Sequence, residues 1–139
     1  MLLDHFRRSG YVDEIRNFVA TGKPIYGGSA GAVVLGGNIE TVRHMDVNNV
    51  GLNDCTGLDL LDGFSVWVHY ENDQKIFVEN YYKKGGEKLV VLSAKSGIVY
   101  QDGKFLSVGY EPSFILSQNE WITLPKSTAV FPEIDDGSA

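Results

Sequence analysis

Ser29 stands in the run Pro24-Ile25-Tyr26-Gly27-Gly28-Ser29-Ala30-Gly31-Ala32-Val33-Val34-Leu35-Gly36, which reads as a short strand, a Gly-x-Ser-x-Gly corner and the start of a helix. A serine at such a corner is held in a strained backbone conformation, and the small residues around it keep side chains from colliding. Its hydroxyl then stands clear of the main chain and can attack a carbonyl. The N–H of Ala30, at the start of the helix, is aimed at the oxyanion that such an attack creates. Serine is a weak nucleophile at neutral pH. The chemistry therefore requires a base within reach and a group that orients the base.

Three histidines are available. His5 lies upstream of the corner on a helical segment and reads as a partly exposed polar residue. His44, in Val42-Arg43-His44-Met45-Asp46, and His69, after the hydrophobic run Phe64-Ser65-Val66-Trp67-Val68, are the candidates for the base. His69 is the stronger one, because the carboxyl ends of strands are where sites assemble in α/β folds. The acid is open at this level: Asp54, Asp59, Asp62 and Glu71 all compete, and aspartates in loops of this kind are mostly turn or cap residues.

The elements needed to position these groups are visible in the pattern. Val12, Ile15, Phe18 and Val19 recur at helical spacing, and Thr21-Gly22-Lys23-Pro24 closes that helix. Ala32, Val33, Val34 and Leu35 give the helix after Ser29 an uninterrupted apolar face, as suits packing against a parallel sheet. A helix is expected from about Glu71 to Lys84, with Ile76, Phe77, Asn80 and Tyr81 inward and Lys83-Lys84 at its C-terminus, where the macrodipole favours cations. Beyond it the chain reads as β structure. Leu89–Leu92 is a short apolar strand, the segments 97–100 and 104–108 flank an Asp102-Gly103 hairpin signal, and 114–116 and 121–124 are expected as edge strands.

These motifs together resemble the peptidase E family of serine peptidases, which includes the aspartyl dipeptidases. The resemblance rests on Gly22-Lys23-Pro24 through Gly28-Ser29-Ala30-Gly31-Ala32, on Thr41 to Asp46, on Gly57-Leu58-Asp59-Leu60-Leu61 and on His69-Tyr70. It implies an α/β fold with a parallel-sheet, three-layer core like that of class I glutamine amidotransferases, a nucleophile elbow and a β-rich C-terminal part. It also implies a catalytic triad of Ser29, His69 and Asp46 with Ala30 in the oxyanion hole, and dipeptides with an N-terminal aspartate as substrates. Members of the family begin with further strand and helix units that are missing here, so the chain resembles about the C-terminal three fifths of a typical member. One consequence is that the loop supplying a second oxyanion donor is not present, and losing one such donor typically lowers the rate about a hundredfold to a thousandfold. Another is an open sheet edge, for which a homodimer or a complementing chain is the expected remedy.

Composition bounds the remainder. With 139 residues, 43% of them hydrophobic, the chain can bury one core. A single domain over residues 1–131 is expected, followed by a polar, disordered tail at 132–139. A net charge of -6 without a basic cluster argues against nucleic acid and anionic membranes as partners. There is neither a run of about twenty apolar residues nor a secretory leader, so a soluble cytoplasmic domain is expected. Cys55, the single cysteine, reads as a small hydrophobe, and no Cys/His cluster has metal-ligand spacing, so the expected site uses no cofactor. Two functions fit: a serine peptidase acting on short peptides, or a noncatalytic binding or assembly module that keeps the elbow as scaffold.

Overall fold

The alternation of apolar residues along two short strands dictates how the core divides. In a computed structural model, which describes residues 2–45 and 51–126, β1 (Ser65–Trp67) and β2 (Leu89–Val91) pair in parallel. Successive side chains on a strand point to opposite faces. Val66, Val68, Val90 and Leu92 therefore pack on one side with Leu3, Val33, Val34, Ile39 and Leu58. Trp67, Leu89 and Val91 pack on the other with Tyr70, Val78 and Leu116. Asp46 and the tail expected at 132–139 lie outside the described residues.

The first side is roofed by helices. The helices α1 (Leu2–Ser9) and α2 (Tyr11–Ala20) are separated by Gly10, and α2 stops where Thr21-Gly22 predicts, with the Gly22 N–H donating to the Val19 carbonyl at 2.9 Å. The six-residue helix α3 (Ala30–Leu35) is driven in by Val33 and Val34, both at most 3% exposed. Its last carbonyls would otherwise be orphaned. The N–H groups of Leu58 and Leu60 donate to the carbonyls of Val34 and Leu35 at 2.8 and 2.9 Å, so the Gly57–Leu61 segment anchors α3.

On the second side lies α4 (Lys75–Gly85), preceded by a short 3-10 turn whose Glu71 and Gln74 form a capping box. Its inward residue is Val78, with Tyr81 and Tyr82 packed beside it, whereas Ile76 is 71% exposed and Asn80 is also on the outside. Of the expected inner residues, Tyr81 packs inward and the half-exposed Phe77 meets Trp67, whereas Ile76 and Asn80 face outward. Aromatic and apolar residues surround this helix, so its periodicity left the phase undetermined and packing against Trp67 and Leu116 set it.

The sheet continues in the order β1-β2-β5-β6, with β5 (Phe114–Ser117) antiparallel to β2 and β6 (Glu120–Thr123) antiparallel to β5. Of the two expected edge strands, β5 is therefore interior. Between β2 and β5 the chain makes a separate hairpin, β3 (Ser96–Gln101) and β4 (Lys104–Gly109). Its turn, Asp102-Gly103, has positive φ at both residues (52° and 74°), the geometry for which that pair was read.

The strand expected at Pro24–Tyr26 is not formed. Residues 23–28 carry no regular structure, and Ile25 and Tyr26 are 41% and 93% exposed. A parallel strand needs a neighbour to take up its N–H and C=O groups, and β1 offers this segment no free flank. Thr41 Oγ1 donates to the Val66 carbonyl at 2.7 Å and the Gly37 N–H to the Phe64 carbonyl at 2.9 Å. The expected open edge is therefore covered at β1, and the segment before Ser29 is the one left without a partner strand.

Candidate active site

Gly27 decides whether the corner at Ser29 can close. A Cβ built on it meets the Gly31 carbonyl oxygen at 2.6 Å, closer than packed atoms approach, so the turn needs glycine here. Gly27→Ala is expected to cost about 1–3 kcal/mol of stability and to displace Ser29. Urea unfolding reads the first effect, and reaction of Ser29 with an active-site probe the second. With the turn closed, Ser29 sits at φ 51° and ψ -117°, outside the regions that residues with a side chain ordinarily occupy. Such strain persists only where the surroundings impose it, and it concentrates at functional sites. Ala30 opens α3, so its N–H is among those that a helix leaves without an intrahelical acceptor.

The second group arrives from β1. The chain leaves that strand through Val68, which is buried, and turns at His69, whose φ of 56° is again positive for a residue with a side chain. The turn places the exposed His69 ring against the corner: Ser29 Oγ and His69 Nε2 are 3.2 Å apart, across forty positions of sequence. With Nε2 unprotonated, the hydroxyl donates to it, the arrangement by which an imidazole activates serine.

His44, the alternative base, is elsewhere. Its ring stacks on Trp67 at 4.6 Å with 13° between planes and meets Phe77 edge-on at 5.2 Å. Burial holds its pKa below the ordinary histidine value. His5 lies on α1, as expected.

The competing acids have local tasks. Asp54 accepts the Thr56 N–H at 3.0 Å and pairs with Arg7 at 3.7 Å, and the Thr56 hydrogen bonds hold its carboxyl below the usual range. Asp59 accepts the Gly63 N–H at 3.0 Å, and Glu71 caps the turn before α4. Asp62 occupies a turn at φ 53°. Among the described residues no carboxylate hydrogen-bonds to His69, and Asp46 is not among them. Arg43 pairs with Glu40 at 3.0 Å on the surface.

Among the described residues no group of three or more His, Cys, Asp or Glu side chains could hold a metal ion, and no helix is long and apolar enough to cross a membrane. Cys55 is partly buried, which raises its thiol pKa. One feature escaped the sequence reading: a cavity of about 290 Å³ lined by Glu40, Arg43, His44, Trp67, Phe77 and Tyr81. Its only trace in the sequence was the concentration of aromatic residues between Phe64 and Tyr82.

Comparison with known proteins bears on this arrangement. The sequence profile of peptidase family S51 matches residues 1–109. An uncharacterized peptidase of Pasteurella multocida is 38% identical over 73 residues, which is 51% of this chain and 35% of that protein. A crystal structure assigned to a peptidase E protein of Listeria monocytogenes superposes with a TM-score of 0.66 at 26% identity, covering 79% of this chain and 55% of that one. The chain thus spans about a third of the curated relative and about half of the solved one.

Proposed function

The chain belongs to peptidase family S51, and on that premise we propose that it is a serine peptidase that cleaves short peptides through an acyl-enzyme. The observation that carries this reading is the 3.2 Å approach of Ser29 Oγ to His69 Nε2, with both residues in strained backbone conformations. Ser29 attacks the scissile carbonyl while His69 takes the hydroxyl proton. The Ala30 N–H donates to the oxyanion of the tetrahedral intermediate. His69 then gives its proton to the departing amine, and water, activated by the same imidazole, releases the acid and restores Ser29.

Asp46 is proposed as the acid that orients His69. The local tasks of Asp54, Asp59 and Glu71 support it by leaving those carboxylates engaged elsewhere. Dipeptides with an N-terminal aspartate are the proposed substrates, on the resemblance to peptidase E. Ser29 and His69 are both exposed, whereas acyl transfer gains from a site that excludes water. A second copy or a complementing chain, adding a strand beside Ile25 and Tyr26, is proposed to enclose them.

A fluorophosphonate probe tests the reading. It is expected to label Ser29, as located by peptide mapping, and to fail with folded His69→Ala protein. Folded parent protein that takes up no label would instead favour a noncatalytic module.

A further inference from the structure

Tyr26 lies just before the corner, in a segment without regular structure, and its side chain turns back over Gly28, the neighbour of Ser29. A Cβ built on Gly28 would meet Tyr26 Oη at 3.3 Å, Cζ at 3.8 Å and Cε1 at 3.9 Å. The hydroxyl end of the ring is thus the part that lies over Gly28, and a glycine there admits it. Consecutive Cα atoms are about 3.8 Å apart, so the phenol oxygen lies within roughly 9 Å of Ser29 Cα.

Packing does not account for this placement, because Tyr26 is 93% exposed and its ring is covered by almost nothing. Its hydroxyl makes no hydrogen bond among the described residues. A phenol both donates and accepts, so this one is free to donate to a group that arrives at Ser29. Acyl transfer at an elbow draws on two donors to the oxyanion, one from the residue after the nucleophile and one from a separate segment. Ala30 stands in the first position. A side chain serves in the second as well as a backbone N–H does, and tyrosine is among the residues able to do so.

We propose that the Tyr26 hydroxyl is the second donor to the oxyanion, which makes Tyr26 a catalytic residue. The proposal rests on the peptidase reading of Ser29 and His69. As Ser29 Oγ bonds to the carbonyl carbon and its proton passes to His69, the π electrons of the carbonyl move onto its oxygen. Tyr26 keeps its own proton and donates it to that oxygen in a hydrogen bond of about 2.7 Å. The side chain reaches this position by rotation, with no existing hydrogen bond to break. Because the charge on oxygen develops only as the bond to Ser29 forms, the contact speeds the reaction without tightening the binding of the unreacted ligand.

The rate at which a fluorophosphonate labels Ser29 tests this without a known substrate. In that reaction Ser29 Oγ bonds to phosphorus, fluoride departs, and the phosphoryl oxygen takes the place of the oxyanion. Measured over a range of probe concentrations, the rate separates into a maximal rate constant and a half-saturating concentration. Tyr26→Phe, which keeps the ring, is expected to lower the maximal rate constant about tenfold to a hundredfold, the effect of one hydrogen bond to a developing charge. The half-saturating concentration and the urea midpoint stay near the parental values. Tyr26→Ala is expected to match Tyr26→Phe, since the ring itself contributes nothing. A Tyr26→Phe protein labelled as fast as the parent overturns the proposal, as does slowing that appears only in the half-saturating concentration or only in Tyr26→Ala. The two readings fail differently. Labelled parent with an equally fast Tyr26→Phe protein keeps the peptidase and loses the role of Tyr26, whereas folded parent that takes up no label overturns both.

Discussion

Ser29→Ala protein is expected to hydrolyse a susceptible dipeptide about 10⁴- to 10⁶-fold more slowly than the parent, with its unfolding midpoint nearly unchanged. Ser29 is exposed, and alanine is as strained as serine at φ 51°, so the fold loses little. The proposed reaction, however, loses the atom that would bond to the substrate. His69→Ala is expected to fall into the same range, and the double variant to be little worse than either single one, because nucleophile and base act as a unit. Asp46→Asn is expected to reduce kcat by orders of magnitude, since the imidazole would lose its orienting carboxylate. Single-turnover kinetics on the four proteins decides the matter. A Ser29→Ala protein with more than a tenth of parental activity would remove Ser29 from the mechanism.

The largest effect on stability is expected at Trp67. Truncating this side chain to alanine removes the ring on which His44, Phe77 and Tyr81 all pack, at a cost of about 3–5 kcal/mol. Total stability of a domain this size is on the order of 5–15 kcal/mol, so Trp67→Ala could leave much of the protein unfolded at 37 °C. Trp67→Phe should be far milder. The indole N–H has no acceptor among the described residues, so phenylalanine forfeits volume without breaking a hydrogen bond. Urea denaturation monitored by circular dichroism measures both. A loss below about 1 kcal/mol for Trp67→Ala would show that the aromatic cluster contributes far less than its burial implies.

Local and long-range features of the fold were not equally legible in the sequence. Short-range signals read well: Thr21-Gly22 ends α2, Asp102-Gly103 closes the β3-β4 hairpin, and Leu89–Val91 is a strand. Each depends on backbone preferences within a few residues, which tertiary contacts had no reason to override. The phase of α4 did not read well, because Ile76, Phe77, Val78, Tyr81 and Tyr82 surround the helix and the pattern marks no single face. The strand expected at Pro24–Tyr26 had suitable residues and no neighbour to pair with. Strand propensity is a preference for a pleated, paired surface, and it has no effect where pairing is not supplied.

At the candidate site the division is sharper. Gly27, Gly28, Ser29 and Ala30 announce a tight, strained corner by themselves, since the small residues that permit it are contiguous in the chain. The choice of His69 over His44 was favoured by its place after a strand, but only the folded chain gave it a distance. β1 delivers His69 to Ser29 while the same strand turns Trp67 away to hold His44. The aromatic cavity was decided wholly by tertiary structure. Its walls come from the segment after α3, from β1 and from α4, and no local rule links positions so far apart until parallel pairing of β1 with β2 sets which residues face α4. Local chemistry is written in neighbouring residues; the meeting of distant ones is written only in how the strands register and which faces they bury.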